Sequence, residues 1–180
     1  RRKTVLNVLA AGLLAALVPC PAAASAAEGS DAKGLKLRQA EPQQIVACKR
    51  VRNFYTGSHL RVIRLDQEFA DKVLNRYIDT LDSSRMIFLR SDVEGFRKRS
   101  SDMLSLLDDC SLVFGFGIYN TYTARRLERY RYAISLLDGK FDLSSKERYV
   151  FDRSKSEWPA DRNEYDRLWR NRVQYELELL

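Results

Sequence analysis

Residues 59–96 read HLRVIRLDQEFADKVLNRYIDTLDSSRMIFLRSDVEGF, and helix-start signals and an apolar stripe agree within them. Asp66 is placed to act as an N-cap, because its side chain can accept from the unpaired N–H groups of a first helical turn. Apolar residues then recur at helical spacing in two adjacent ridges: Phe69, Val73 and Tyr77 beside Ala70, Leu74, Ile78 and Leu81. The pattern predicts one amphipathic helix of roughly four turns that ends at Leu81.

A second helix is predicted after the polar turn at residues 82–85 and the short apolar bridge at residues 86–89. Ser91 and Glu94 have the S-x-x-E spacing of a capping box. We therefore expect a helix from Ser91 to about Leu107.

Two further helices flank this region. Gln43–Tyr55 has helical spacing and follows Pro42, a residue that suits a first helical turn. Leu112–Leu137 is the longest apolar-periodic segment, but Gly115 and Gly117 weaken its beginning, so we expect the helix to start near Ile118. Its predicted buried stripe consists of Leu127, Tyr130, Ile134 and Leu137.

The C-terminal part adds two weaker or shorter features. Ser144 and Glu147 repeat the capping-box spacing and predict a short helix or turn up to Phe151. Asp161 with Glu164 predicts the start of a terminal helix whose buried face is Tyr165, Leu168, Trp169, Val173 and Leu177. No segment alternates with period two for long enough to propose a sheet. The predicted fold is all-α, with about five helices in an irregular N-terminal domain.

The first residues have the pattern of a secretory signal peptide. Arg1, Arg2 and Lys3 precede an apolar run over residues 5–18, and small residues follow at cleavage-site spacing. The run is shorter than the ~20 residues that span a bilayer. We expect a signal peptide at residues 1–26, a linker at residues 27–42 and a helical domain at residues 43–180.

Charge and cysteine content set limits on the partners and the redox state. The formal net charge is +7, but three of the positive charges lie at the extreme N-terminus. A moderate surplus of this kind does not by itself indicate a nucleic-acid partner. Cys48 and Cys110 would remain after export, and the sequence leaves open whether they pair or stay as buried thiols.

No catalytic, cofactor-binding or metal-binding residue is assigned from the sequence. His59 is the only histidine, which excludes a histidine-based triad or a multi-histidine metal site within this chain. The acid pairs Asp79 with Asp82 and Asp108 with Asp109 are interpreted as exposed acids at helix ends. None of the serines lies in a G-x-S-x-G or S-x-x-K motif.

Residues 119–132, YNTYTARRLERYRY, interleave arginines with aromatic residues, as nucleic-acid grooves do. Helical geometry favours a simpler interpretation, in which Tyr122, Arg126, Glu128 and Arg129 lie on solvated sides. The chain also lacks a glycine-rich loop of phosphate-binding spacing. Nucleic acid is therefore not an expected partner.

The sequence resembles the family of periplasmic tail-specific proteases, also called carboxy-terminal processing proteases. Residues 65–96 contain, in the family's order, a Leu-Asp pair, a helix ending in Arg-Tyr, a second Leu-Asp pair and a Ser-Asp helix start. Three more matches follow in order at Ile118–Leu137, Phe151–Asp161 and Glu164–Leu177. The D-R-S-K-x-x-W-P-x run within the second of these is the most specific.

The resemblance implies a serine endopeptidase that engages the C-terminal tails of its protein substrates through a PDZ domain and cuts with a serine-lysine dyad, without a metal or other cofactor. It also implies a periplasmic location, at or near the periplasmic face of the inner membrane, and in some members a lipoprotein adaptor. The PDZ and protease domains lie downstream in the family, so no catalytic residue is carried over to this chain, which is expected to act as a scaffold. The alternative is a free-standing exported helical protein-binding module without activity.

Overall fold

The computed structural model describes residues 37–57, 64–138 and 149–179. Within these ranges the chain is all-α, as predicted, with six helices and no strand. The helices are α1 (Pro42–Gly57), α2 (Gln67–Leu81), α3 (Arg90–Lys98), α4 (Ser100–Asp109), α5 (Val113–Leu137) and α6 (Arg162–Glu178).

Helix α2 confirms the prediction made from its caps and ridges. The Asp66 side chain accepts from the Phe69 N–H at 2.9 Å. Ala70, Leu74 and Ile78 are buried. The neighbouring ridge is half-buried, so α2 presents its stripe to the core and its polar side to solvent.

The helix predicted from Ser91 to Leu107 is in fact two helices. Helix α3 begins at Arg90, and the Asp92 carboxylate, not that of Glu94, accepts from the backbone N–H of the N-cap residue Leu89 at 3.0 Å. The chain then breaks at Arg99, which ends α3 and precedes α4. In a straight helix Val93 and Met103 would point roughly 80° apart. The break lets both side chains enter the same core cluster.

Helix α5 begins at Val113, five residues earlier than predicted. Gly115 lies where α5 approaches α4, because a Cβ atom there would be 3.1 Å from the Leu106 Cδ1 atom. The Gly115 carbonyl also accepts from the Tyr77 hydroxyl at 3.2 Å. The glycine that weakened the helix signal thus serves close helix packing.

The predicted buried stripe of α5 was wrong in part, because Tyr130 and Leu137 do pack against the core but Ile134 does not. The buried residues are Phe114, Ile118, Arg129 and Ala133, whereas Ile134 is 48% exposed. Helix α5 packs against α4 near its start and against α6 further along, so its buried face is set by two neighbours and not by the most apolar stripe. The helix ends at Leu137, as predicted.

Helices α1 and α6 differ in how they are held. In α6 the Asp161 side chain caps the Glu164 N–H at 2.9 Å, and Tyr165, Trp169 and Val173 are buried as predicted. Helix α1, predicted over Gln43–Tyr55, spans Pro42–Gly57 and buries no residue. A disulfide between Cys48 and Cys110 connects it to the turn between α4 and α5, which answers the question the sequence left open.

Two core clusters share the helical body. The first is built mainly from α2, α3, α4 and the start of α5, and the second from residues 86–87, the later part of α5 and α6. Tyr122 packs against both clusters. Among the described residues, no helix is long and apolar enough to cross a membrane. His59, the Ser144–Glu147 feature and the predicted signal peptide lie outside the described residues.

Candidate functional site

The buried carboxylate of Asp82 holds the turn after α2. It accepts from the backbone N–H groups of Met86 at 2.9 Å and of Ile87 and Phe88 at 3.0 Å. The indole Nε1–H of Trp158 is a fourth donor at 3.1 Å. Asp82 is only 3% exposed, so its interpretation as an exposed acid at a helix end was wrong. Its role is structural, because every one of these donors belongs to the fold.

The segment around Trp158 completes this arrangement. The Arg85 guanidinium carbon lies 4.4 Å from the Trp158 ring centroid, and Arg85 donates to the Ser156 carbonyl. The Arg90 N–H donates to the Pro159 carbonyl at 2.9 Å. The D-R-S-K-x-x-W-P run therefore packs against the turn that connects α2 to α3.

The arginines of residues 119–132 are largely engaged within the fold. Arg129, predicted to be solvated, is fully buried and donates to the Asp166 carboxylate at 2.5 Å. Arg125 makes two hydrogen bonds to Asp92, at 2.9 and 3.0 Å. The Asp92 hydrogen bond is also the main reason that the pKa of Arg125 is raised. Tyr122, also predicted to be solvated, packs against the core. Arg125 and Arg129 thus serve contacts within the fold, whereas Arg131 is exposed.

Tyr165 and Trp169 of α6 bind the apolar bridge at residues 86–89. The Tyr165 hydroxyl donates to the Ile87 carbonyl, and the Trp169 indole donates to the Met86 carbonyl at 2.8 Å. Burial raises the pKa of Tyr165, since a phenolate would be desolvated there. The bridge is thus fixed from both sides, by Asp82 and by α6.

The remaining acids that sequence analysis considered do not converge on a site. Asp79, Asp108 and Asp109 are exposed. Asp108 lies 4.0 Å from Arg52 in an exposed ion pair. Among the described residues, no group of three His, Cys, Asp or Glu side chains is arranged to hold a metal ion.

An open apolar groove of about 460 Å³ lies between α2, α4 and the first half of α5. Its lining residues are Arg38, Val73, Tyr77, Met103, Leu106, Leu112, Gly115, Phe116 and Tyr119. Burial, together with the neighbouring Tyr119, raises the pKa of Tyr77, so the Tyr77 hydroxyl stays protonated and donates to Gly115. The groove was not predicted from the sequence, because the apolar residues that each helix contributes have the same helical spacing as core residues.

At the rim of the groove, the Asn120 side chain holds the backbone of Arg38 through two hydrogen bonds, which together are called the clamp. The Asn120 carboxamide accepts from the Arg38 N–H at 2.8 Å and donates to the Arg38 carbonyl at 2.9 Å. Both backbone groups of Arg38 therefore point to one side, as they do in a strand. The clamp fixes the segment that enters α1 beside the groove.

Two comparisons with known proteins identify the family of this chain. A family model described as the tail specific protease N-terminal domain matches residues 51–179. A tail-specific protease from Haemophilus influenzae is 37% identical over 133 residues, which cover 73% of this chain and 19% of that protein. The chain thus spans about a fifth of the length of this relative.

Proposed function

The chain belongs to the tail-specific protease N-terminal domain family, and we propose that it forms the N-terminal helical scaffold of a periplasmic serine endopeptidase that degrades or processes proteins from their C-terminal tails. The observation that supports this most directly is the match of the family model to residues 51–179, which covers nearly all of the helical body.

The proposed division of labour places catalysis outside this chain. The serine-lysine dyad and the PDZ domain belong to the larger part of the parent protein, and a lipoprotein adaptor is a proposed further partner. Residues 1–26 are proposed to direct export as a signal peptide, and residues 27–42 to link it to the helical domain. The Cys48–Cys110 disulfide supports the proposed periplasmic location, because disulfide bonds persist in oxidising compartments.

The structure of the body supports a scaffold role. The two core clusters and the buried Asp82 carboxylate hold the helices together. All four hydrogen-bond donors to Asp82 come from within the fold. Rigid helical elements of this kind position the parts that bind substrate.

The test is to sequence the gene beyond the codon for Leu180 and assay its full-length product. We expect a PDZ-like segment and a protease domain with a serine and a lysine, and cleavage of a folded reporter that carries an apolar C-terminal tail. The same reporter with a polar tail is the matched control. A stop codon directly after Leu180 would overturn the protease assignment and favour the free-standing binding module.

A further inference from the structure

We propose that the groove between α2, α4 and α5 binds an extended internal segment of a partner protein, in which apolar side chains alternate with polar ones and an acidic side chain follows. This goes beyond the proposed function, because it places a peptide-binding surface in the helical domain itself and does not involve a free C-terminal tail or proteolysis.

The groove has the size and the apolar lining of a ligand pocket. Its volume of about 460 Å³ falls within the roughly 300–1,000 Å³ of ligand pockets. Val73, Leu106 and Phe116 are only half-buried there, so they leave apolar surface uncovered by the described chain. Apolar side chains of a partner would gain free energy by covering that surface.

The backbone of Arg38 at the rim is oriented as in a strand. Asn120 satisfies both its N–H and its C=O, so at this one residue the two backbone groups face α5 on the same side. An extended partner segment lying beside this residue would send every second side chain into the groove.

The charge of the groove favours an acidic partner. Arg38 lines the groove, and its side chain has no hydrogen bond or ion pair among the described residues, where only its backbone N–H and C=O are engaged. The groove lining includes no acidic residue. A carboxylate on the partner segment would therefore pair with Arg38 without competition from the groove itself.

The experiment measures binding of the 180-residue chain to a fluorescein-labelled octapeptide, Gly-Ser-Leu-Ser-Leu-Glu-Ser-Gly, acetylated and amidated at its ends, by fluorescence anisotropy. We expect saturable binding that is abolished when both leucines of the peptide are replaced by serine. Replacement of the peptide's glutamate by glutamine should weaken binding about threefold, as for an exposed ion pair.

Two protein variants locate the interaction. Arg38→Glu should remove the preference for the glutamate peptide over the glutamine peptide. Its backbone bonds to Asn120 do not require the arginine side chain, so the fold is retained, which circular dichroism checks. Arg50→Glu, a charge reversal on the exposed side of α1, is the matched control and should leave the preference unchanged.

Several outcomes would overturn the inference. They are absence of saturable binding, equal loss of the glutamate preference in both variants, and tighter binding of a peptide with a free C-terminal carboxylate, which would make the site a tail site. Binding seen only after deletion of residues 27–36 would show that the chain's own linker fills the groove. Each outcome leaves the protease assignment untouched, because the assay uses no catalytic domain.

Discussion

At the scale of single residues, Asp82 is the acceptor around which the turn between α2 and α3 is built. Three backbone N–H groups and one indole N–H converge on its two oxygens. Loss of the carboxylate would leave these donors buried without partners, and each unsatisfied donor costs about 1–3 kcal/mol. Replacement of Asp82 should therefore perturb the fold strongly.

We predict that Asp82→Ala lowers the free energy of unfolding by about 3 kcal/mol or more. Urea denaturation followed by circular dichroism measures the change. Asp79→Ala, at an exposed position in the last turn of the same helix, is the control and should change stability by less than about 0.5 kcal/mol. Similar effects for the two variants would contradict the structural role of Asp82.

Tyr165 gives a prediction about pH. Its pKa is raised above the ordinary value of 10.0 by burial, so the unfolded chain releases the phenolic proton before the folded chain does. The stabilising contribution is fully present below about pH 10 and is lost as the pH rises above that value.

We predict that Tyr165→Phe makes the fall in stability above pH 10 less steep. At neutral pH the variant should lose about 0.5–1.5 kcal/mol, because the hydrogen bond to the Ile87 carbonyl is gone. Thermal unfolding between pH 7 and pH 11 measures both effects. The exposed Tyr55→Phe variant is the control, and an alkaline profile of Tyr165→Phe identical to that of the parent chain would refute the assignment.

At the scale of elements, α1 depends on a covalent bond more than on packing. It has no buried residue, and Val46, Val51, Phe54 and Tyr55 are all at least 45% exposed. The ion pair between Arg52 and Asp108 is exposed and long, so it contributes little. The disulfide is the strongest connection between α1 and the rest of the described fold.

We predict that replacing both Cys48 and Cys110 by serine lowers the free energy of local unfolding of α1 by about 2–4 kcal/mol. Hydrogen exchange at residues 42–57 should accelerate, while the amides of α2 and α5 keep their protection. Treatment of the parent chain with a reductant should reproduce the result. Unchanged exchange in α1 would mean that its packing suffices.

At the scale of the whole molecule, the two core clusters are joined and not independent. Tyr122 packs against both, and the bridge at residues 86–89 contributes Phe88 to the first and Met86 to the second. Each cluster also contains one of the two tryptophans, Trp158 in the first and Trp169 in the second. The shared residues should make unfolding cooperative.

We predict that the two clusters unfold in one transition. Trp158→Phe and Trp169→Phe each leave a single fluorescent reporter, in the second and the first cluster respectively. In each variant the denaturation midpoint from fluorescence should coincide with that from circular dichroism, as in a two-state transition. Separate midpoints in either variant would show that the clusters are distinct folding units.

The sequence alone predicted what is local. The N-caps at Asp66 and Asp161, the apolar ridge of α2 and the ends of α2 and α5 depend on contacts within a few residues, and these predictions were confirmed. The family resemblance was also carried by the sequence and was confirmed by the comparisons.

Long-range contacts determined the rest. Asp82 is buried because Trp158, 76 residues away, donates to it, and Arg129 is buried because Asp166 on α6 neutralises it. The break at Arg99, the pairing of the cysteines and the groove likewise depend on elements that are distant in the chain. A polar side chain looks solvated in sequence until a partner from another element supplies the hydrogen bonds that make its burial favourable. The sequence therefore predicted the helix caps, whereas only the tertiary structure showed the hydrogen bonds to Asp82 and the groove between α2, α4 and α5.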